Sequence, residues 1–116
     1  MGVVHRRTGD RDWQGVQPLP YEDAGGEKRE LIGPEEGAPH WRLRHFHVPA
    51  GSRTARESHP HDHGVYVLAG RARVTLGDRV EEVGPGDVVY VPGDELHCFE
   101  ALEEAPLDFL CVAPPA

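Results

Sequence analysis

Punctuation by glycine and proline is what most limits the structures open to this chain. Fourteen glycines and 11 prolines are spread through 116 residues, and proline above all breaks or bends a helix. No stretch sustains apolar residues at i, i+3, i+4 and i+7, so long helices are not expected. Short apolar or alternating runs between turn signals recur instead. They are Arg29–Ile32, Trp41–Val48, Val65–Ala69, Ala72–Leu76, Arg79–Val83, Val88–Val91, Leu96–Ala101 and Leu107–Val112. Leu76-Gly77-Asp78-Arg79 predicts a tight hairpin, with Gly77 free to take a positive φ. Many short strands at this spacing predict an all-β fold, a single antiparallel β-barrel or sandwich with little or no helix.

The length allows one domain. Residues 1–28 are polar and weakly patterned, and read as an arm that is flexible or adds a strand to a neighbour. Val16–Leu19 is its one candidate strand. Residues 29–112 read as the barrel and 113–116 as a tail. The expected core is Trp41, Phe46, Val65, Val67, Val88, Val89, Val91, Phe99, Leu107, Phe109 and Leu110. An apolar fraction of 38% makes that core modest. Open sheet edges need covering, so a homodimer is expected.

Charge and hydropathy exclude several classes of function. Twenty acids against 12 bases give a net charge of −8, unsuited to a nucleic-acid backbone. No apolar run reaches the roughly 20 residues of a membrane span. The opening MGVVHRRTGD has no apolar segment after its basic residues, so no signal peptide is expected and the cytoplasm is the default location. Cys98 and Cys111 each sit in an apolar stretch and read as buried free thiols.

The chemistry concentrates in the histidines. There are eight, and Glu57, His59, His61 and His63 occupy alternate positions. On an extended backbone, alternate side chains share a face. His97 follows a Pro-Gly-Asp turn, where a returning strand can bring it beside that group. Imidazoles with a carboxylate suit one divalent transition metal: Mn, Fe, Zn, Ni or Cu. A few protein ligands with a position left open describe a catalytic site rather than a structural one.

At this point the chain resembles the cupin superfamily. The family's first motif is a glycine, five residues, His-X-His, three or four residues, a glutamate, six residues and a glycine. Gly51, Glu57, His59, His63 and Gly70 keep that spacing, with Glu57 in the first histidine position and His63 in the glutamate position. Gly86, Pro92 and His97 match the second motif, where Asp94 replaces a glycine and Ala101 an asparagine. The resemblance covers about Trp41 to Val112 and is nearest to small single-domain bacterial cupins of the four-histidine, manganese type. It implies a jelly-roll barrel, a metal held by Glu57, His59, His63 and His97, and manganese or iron as the favoured ion. His61 is the competitor for the place of Glu57. Glu57, if it is not a ligand, is the candidate general base.

Around the site, Arg42, Arg44, Phe46 and Val48 share one face of their strand, and Arg44 is a candidate to point inward and bind a carboxylate. Phe99 and Phe109 are the other expected pocket residues. His40, His45 and His47 read as surface or interface residues, and Asp62, Asp87 and Asp94 as turn residues. The resemblance implies a metal-dependent small-molecule protein. The first reading is an enzyme of dioxygenase, isomerase, lyase or decarboxylase type acting on a small oxygen-rich or carboxylate-bearing compound. The alternatives are a non-catalytic ligand-binding or sensing module and, weakest, a metal-free structural domain.

Overall fold

The computed structural model describes residues 1–21 and 26–115. Nine strands follow one another: β1 (Leu19–Tyr21), β2 (Gly26–Ile32), β3 (Arg42–Val48), β4 (His63–Ala69), β5 (Ala72–Leu76), β6 (Arg79–Val83), β7 (Val88–Val91), β8 (His97–Ala101) and β9 (Leu107–Ala113). Among the described residues the one helical piece is a 3-10 turn at Pro34–Glu36. Every strand pairing among the described residues is antiparallel. One sheet has the order β1-β2-β3-β9-β4-β7 and the other β6-β5-β8. The two meet through their apolar faces as a jelly-roll barrel. Val65, Val67, Leu107 and Phe109 of the larger sheet pack with Val74 and Phe99 of the smaller. No helix of the described residues is long and apolar enough to cross a membrane.

Alternation explains which side chains enter the barrel. β3 pairs along its whole length with β9, from Arg42 opposite Ala113 to Val48 opposite Leu107. Phe46 and Val48 are buried, so Arg42 and Arg44 on the same face are carried inward with them. β4 begins at His63, two residues before its apolar run, because His63 and Gly64 pair with Val91 and Tyr90. His63 therefore shares the inner face with Val65 and Val67. The β5–β6 hairpin closes at Leu76 opposite Arg79, with Gly77 at φ 64°.

The same alternation corrects three expected core positions. Val88 is 71% exposed on the outer face opposite Tyr66, Trp41 precedes β3 and is 45% exposed, and Leu110 is half-buried on the outer face. β1 spans Leu19–Tyr21 rather than Val16–Leu19. Pro20 is tolerated there because β1 is an edge strand, where a missing N–H breaks no ladder.

His45 and His47 are not surface residues. Both are buried, and both hydrogen-bond Asp108 Oδ1, at 2.9 and 3.1 Å. The cause is the N-terminal arm, which lies over this outer face and sets the Trp13 ring 5.3 Å from the His45 ring. Arg29, also buried there, donates to Asp12 and Glu27 at 3.1 Å each. His5 pairs with Glu36 at 2.9 Å. Of the three histidines expected at the surface or an interface, His40 is exposed, whereas His45 and His47 are covered within the chain itself.

Candidate metal centre

Two turns bring the histidines together. Residues 57–63 run from the edge of β8 into β4. Glu57 pairs its backbone with His97 in both directions, Glu57 N to His97 O at 3.2 Å and His97 N to Glu57 O at 2.9 Å. The Pro92–Asp94 turn packs under the same segment, and Asp94 N donates to His59 O at 2.7 Å. Asp94 is the one described non-glycine residue with positive φ, 66°, a region that suits glycine and that aspartate is among the side chains to tolerate. At Gly93 a Cβ would run into the carbonyl of Pro60, so the close approach of the two loops needs a glycine.

His59, His63 and His97 converge. One ring nitrogen from each lies within 4.8 Å of the others, a group that could hold a metal ion. His63 Nε2 and His97 Nε2 are 3.3 Å apart. A cation about 2.1 Å from two nitrogens, at tetrahedral to octahedral angles, sets them roughly 3.0–3.4 Å apart. The His59 ring centre is 5.2 Å from that of His63 and 4.8 Å from that of His97.

The remaining ring nitrogens are all engaged. His97 Nδ1 donates to Glu95 O at 2.9 Å and His59 Nδ1 to His61 O at 3.4 Å. Carbonyls only accept, so both rings carry their proton on Nδ1 and turn the Nε2 lone pair toward the centre. His63 Nδ1 meets Cys111 Sγ at 3.2 Å. Burial, with His97 and His59 beside it, pushes His63 down to about 4, which leaves it neutral near pH 7 with a lone pair to offer. Burial raises the Cys111 thiol and keeps it protonated. The donor set fits a borderline divalent transition metal.

Neither Glu57 nor His61 joins this group. Glu57 Oε1 is 3.8 Å from His59 Nε2, and its side chain is half exposed. His61 stacks on His59, ring centres 4.1 Å apart and nearly parallel at 8°, while its own centre is 6.2 Å from that of His63. Burial lowers His61, and His59 lowers it further. His61 thus braces the face of the His59 ring.

The centre opens on a cavity of about 210 Å³, below the roughly 300–1,000 Å³ of sites for drug-sized ligands. Phe46, Phe109 and Phe99 form a stacked wall, with centres 5.1 and 5.0 Å apart. Arg42, Arg44, Glu57 and Cys111 supply polar groups. Arg44, Phe99 and Phe109 are among the residues lining this cavity. Tyr21, Thr54 and Arg42 line it too and were not singled out as pocket residues, though Arg42 shares the even-numbered face of β3 with Arg44. Asp62 accepts the Tyr90 hydroxyl at 2.7 Å and Asp87 accepts Gly84 N at 2.8 Å, structural roles for both.

A model of the cupin domain matches residues 44–113, more than half of the chain. The chain belongs to the cupin family. This cupin is 35% identical over 105 residues to the 1-methylthio-D-xylulose 5-phosphate methylsulfurylase of Rhodospirillum rubrum, a match over 86% of this chain and 67% of that protein. Among solved structures it is similar to a cupin 2 conserved barrel domain protein of Rhodopseudomonas palustris, with a TM-score of 0.88 and 27% identity over 98% of this chain and 81% of that one. It is also similar to the polyketide cyclase RemF of Streptomyces resistomycificus, with a TM-score of 0.80 and 31% identity over 97% and 81% of the two chains.

Acid should destabilise this cupin in two stages. In the unfolded chain His63 takes a proton near pH 6.5, whereas in the fold it stays neutral to about 4. Lowering the pH across that window therefore favours unfolding. Asp108 is a second case. Burial alone would raise its carboxyl, but the His45 and His47 hydrogen bonds outweigh burial and hold it below its ordinary value. Its contribution is complete above the ordinary carboxylate range and is lost as the pH falls through the depressed value. Urea midpoints of the metal-stripped protein should fall steadily from pH 7 to pH 4, and His63→Gln should flatten the upper part of that fall. A midpoint unchanged between pH 7 and pH 4.5 would contradict this.

Proposed function

We propose that this cupin is a metal-dependent enzyme acting on a small oxygen-rich or carboxylate-bearing compound. The observation that carries the reading is the convergence of three imidazole nitrogens at one end of a small cavity whose polar lining includes two arginines. His59, His63 and His97 would hold manganese or iron, and Glu57 is the residue placed to add a carboxylate. The ion would supply Lewis acidity, polarising a bound carbonyl, hydroxyl or carboxylate oxygen.

The chain's own groups do the rest. Phe46, Phe99 and Phe109 keep water from one wall of the cavity, which strengthens electrostatic interactions within it. Glu57, close to His59 and half exposed, can accept a proton from a substrate held at the centre and pass it to solvent. The support from relatives is of the same kind: one is named for a phosphorylated keto sugar and another for cyclising polyketides, both oxygen-rich compounds. Within the proposal, dioxygenase, isomerase, lyase and decarboxylase chemistry share this geometry.

The test is elemental analysis of protein purified without an affinity tag, followed by turnover assays on small enols, diols and keto acids with the identified metal. About one transition metal per chain with turnover supports the enzyme. Saturable binding without turnover would favour the sensing module, and metal-free protein that takes up no ion would end the reading. Glu57→Gln separates the roles of Glu57. A metal affinity lowered about 10-fold or more makes it a ligand. Unchanged affinity with turnover reduced about 100-fold or more makes it the base.

A further inference from the structure

Arg42 and Arg44 stand out because they lack a carboxylate while half-buried, whereas Arg6, Arg11, Arg53 and Arg56, which also pair with none among the described residues, are exposed. Arg7, Arg29, Arg71, Arg73 and Arg79 each have a carboxylate within ion-pair reach. Arg42 and Arg44 line the cavity and, among the described residues, have none, in a chain with 20 acidic residues. Their Nε atoms are buried without a hydrogen-bond partner among those residues. Arg44 donates only to Cys111 Sγ, a weak acceptor, at 3.7 Å, and its guanidinium lies 5.0 Å from the centre of the Phe46 ring. Glu30 is directly opposite Arg44 across β2 and β3 and is the obvious partner. Its carboxylate turns instead against Gly33.

Both side chains are half-buried, two guanidiniums two residues apart on one strand face repel each other, and withdrawing them from water without a direct ion pair is costly. Burial lowers the Arg42 pKa and Arg44 lowers it further, by more than Glu30 and Cys111 raise it, yet an arginine stays charged. Such a pair is stabilised by an anion arriving from outside, and the planar guanidinium fork suits a carboxylate or phosphate through two parallel N–H···O bonds.

We propose that Arg42 and Arg44 form an oxyanion-binding subsite in the cavity, which seats the carboxylate or phosphate of the substrate. The inference rests on the enzyme reading for the name substrate, but oxyanion binding itself needs no metal. It narrows the substrate class to a small anion whose charged group lies at the arginines and whose reactive part reaches toward the histidines. Cys111 Sγ lies between the two, 3.7 Å from Arg44 and 3.2 Å from His63, so the span between the charged and the reactive part is short.

The test is calorimetric titration of the metal-stripped full chain with malonate and, separately, with inorganic phosphate, at fixed ionic strength in sodium chloride. The wild type should bind at least one of them saturably. Arg42→Gln and Arg44→Gln should each weaken that binding about 10-fold or more, and Arg44→Lys should weaken it less than Arg44→Gln. Thermal melts check folding and give a second readout. The same anion should raise the wild-type midpoint but not that of the double glutamine variant. Binding of malonate alone assigns a carboxylate, and of phosphate alone a phosphate ester. Either result supports the subsite. No saturable binding of either, or equal affinity in the double variant, overturns it. Metal content is measured separately on reloaded protein, so a failed metal centre and a failed oxyanion subsite are told apart.

Discussion

His97→Ala should abolish stoichiometric metal binding while leaving the barrel folded. His97 gives the centre one of three imidazoles, fixed by its Nδ1 hydrogen bond to Glu95 O at 2.9 Å. Loss of a partner that merely orients a ligand costs about 10–100-fold in metal affinity, and loss of the ligand itself should cost on the order of 100-fold or more. The backbone role of His97 survives, because its hydrogen bonds with Glu57 and its place opposite Leu76 need no side chain. His61→Ala is the matched control. It removes a ring stacked on His59 but no nitrogen from the centre, so the metal should stay. Elemental analysis of both variants after dialysis against a weak chelator checks the pair. Equal metal in His97→Ala and wild type would misplace the centre, and loss in both would make His61 a ligand.

The largest effect on stability should come from Phe109→Ala. Phe109 is 3% exposed and lies between Phe46 and Phe99, so it ties the large sheet to the small one. Phe-to-Ala changes in packed cores cost about 3–5 kcal/mol, against a total stability of about 5–15 kcal/mol for a typical domain. The cavity beside Phe109 argues for the lower half of that range, since the site is already partly open on one side. Urea unfolding should show a midpoint well below wild type with an unchanged slope. Phe109→Leu should recover most of the loss. A loss under about 1 kcal/mol would mean that the phenylalanine stack does not join the sheets.

The strands that build the barrel were legible because each is a short apolar or alternating run between turn signals. Trp41–Val48 and Leu107–Val112 show inward positions at every second residue, and the β3–β9 pairing uses those positions. The site was legible for a different reason. Metal-ligand spacing is a local property of Glu57–His63, and His97 follows a turn that returns the chain. What could not be read was anything that depends on which segment covers which face. His45 and His47 look like exposed polar positions until the arm lays Trp13 across them and Asp108 arrives from β9. Val88 looks like core until its register sets it opposite Tyr66 on the outer side. His63 is the first residue of β4, and its place in the strand aims it inward with Val65 and Val67. The resemblance named four ligand positions, and the three histidines among them converge while Glu57 stands beside His59.

Anomalous-scattering diffraction from crystals of untagged protein tests the central claim most directly. The account predicts one peak per chain, about 2.0–2.3 Å from Nε2 of His59, His63 and His97. A peak bound elsewhere on the chain, or three empty imidazoles in protein supplied with manganese and iron, would contradict it.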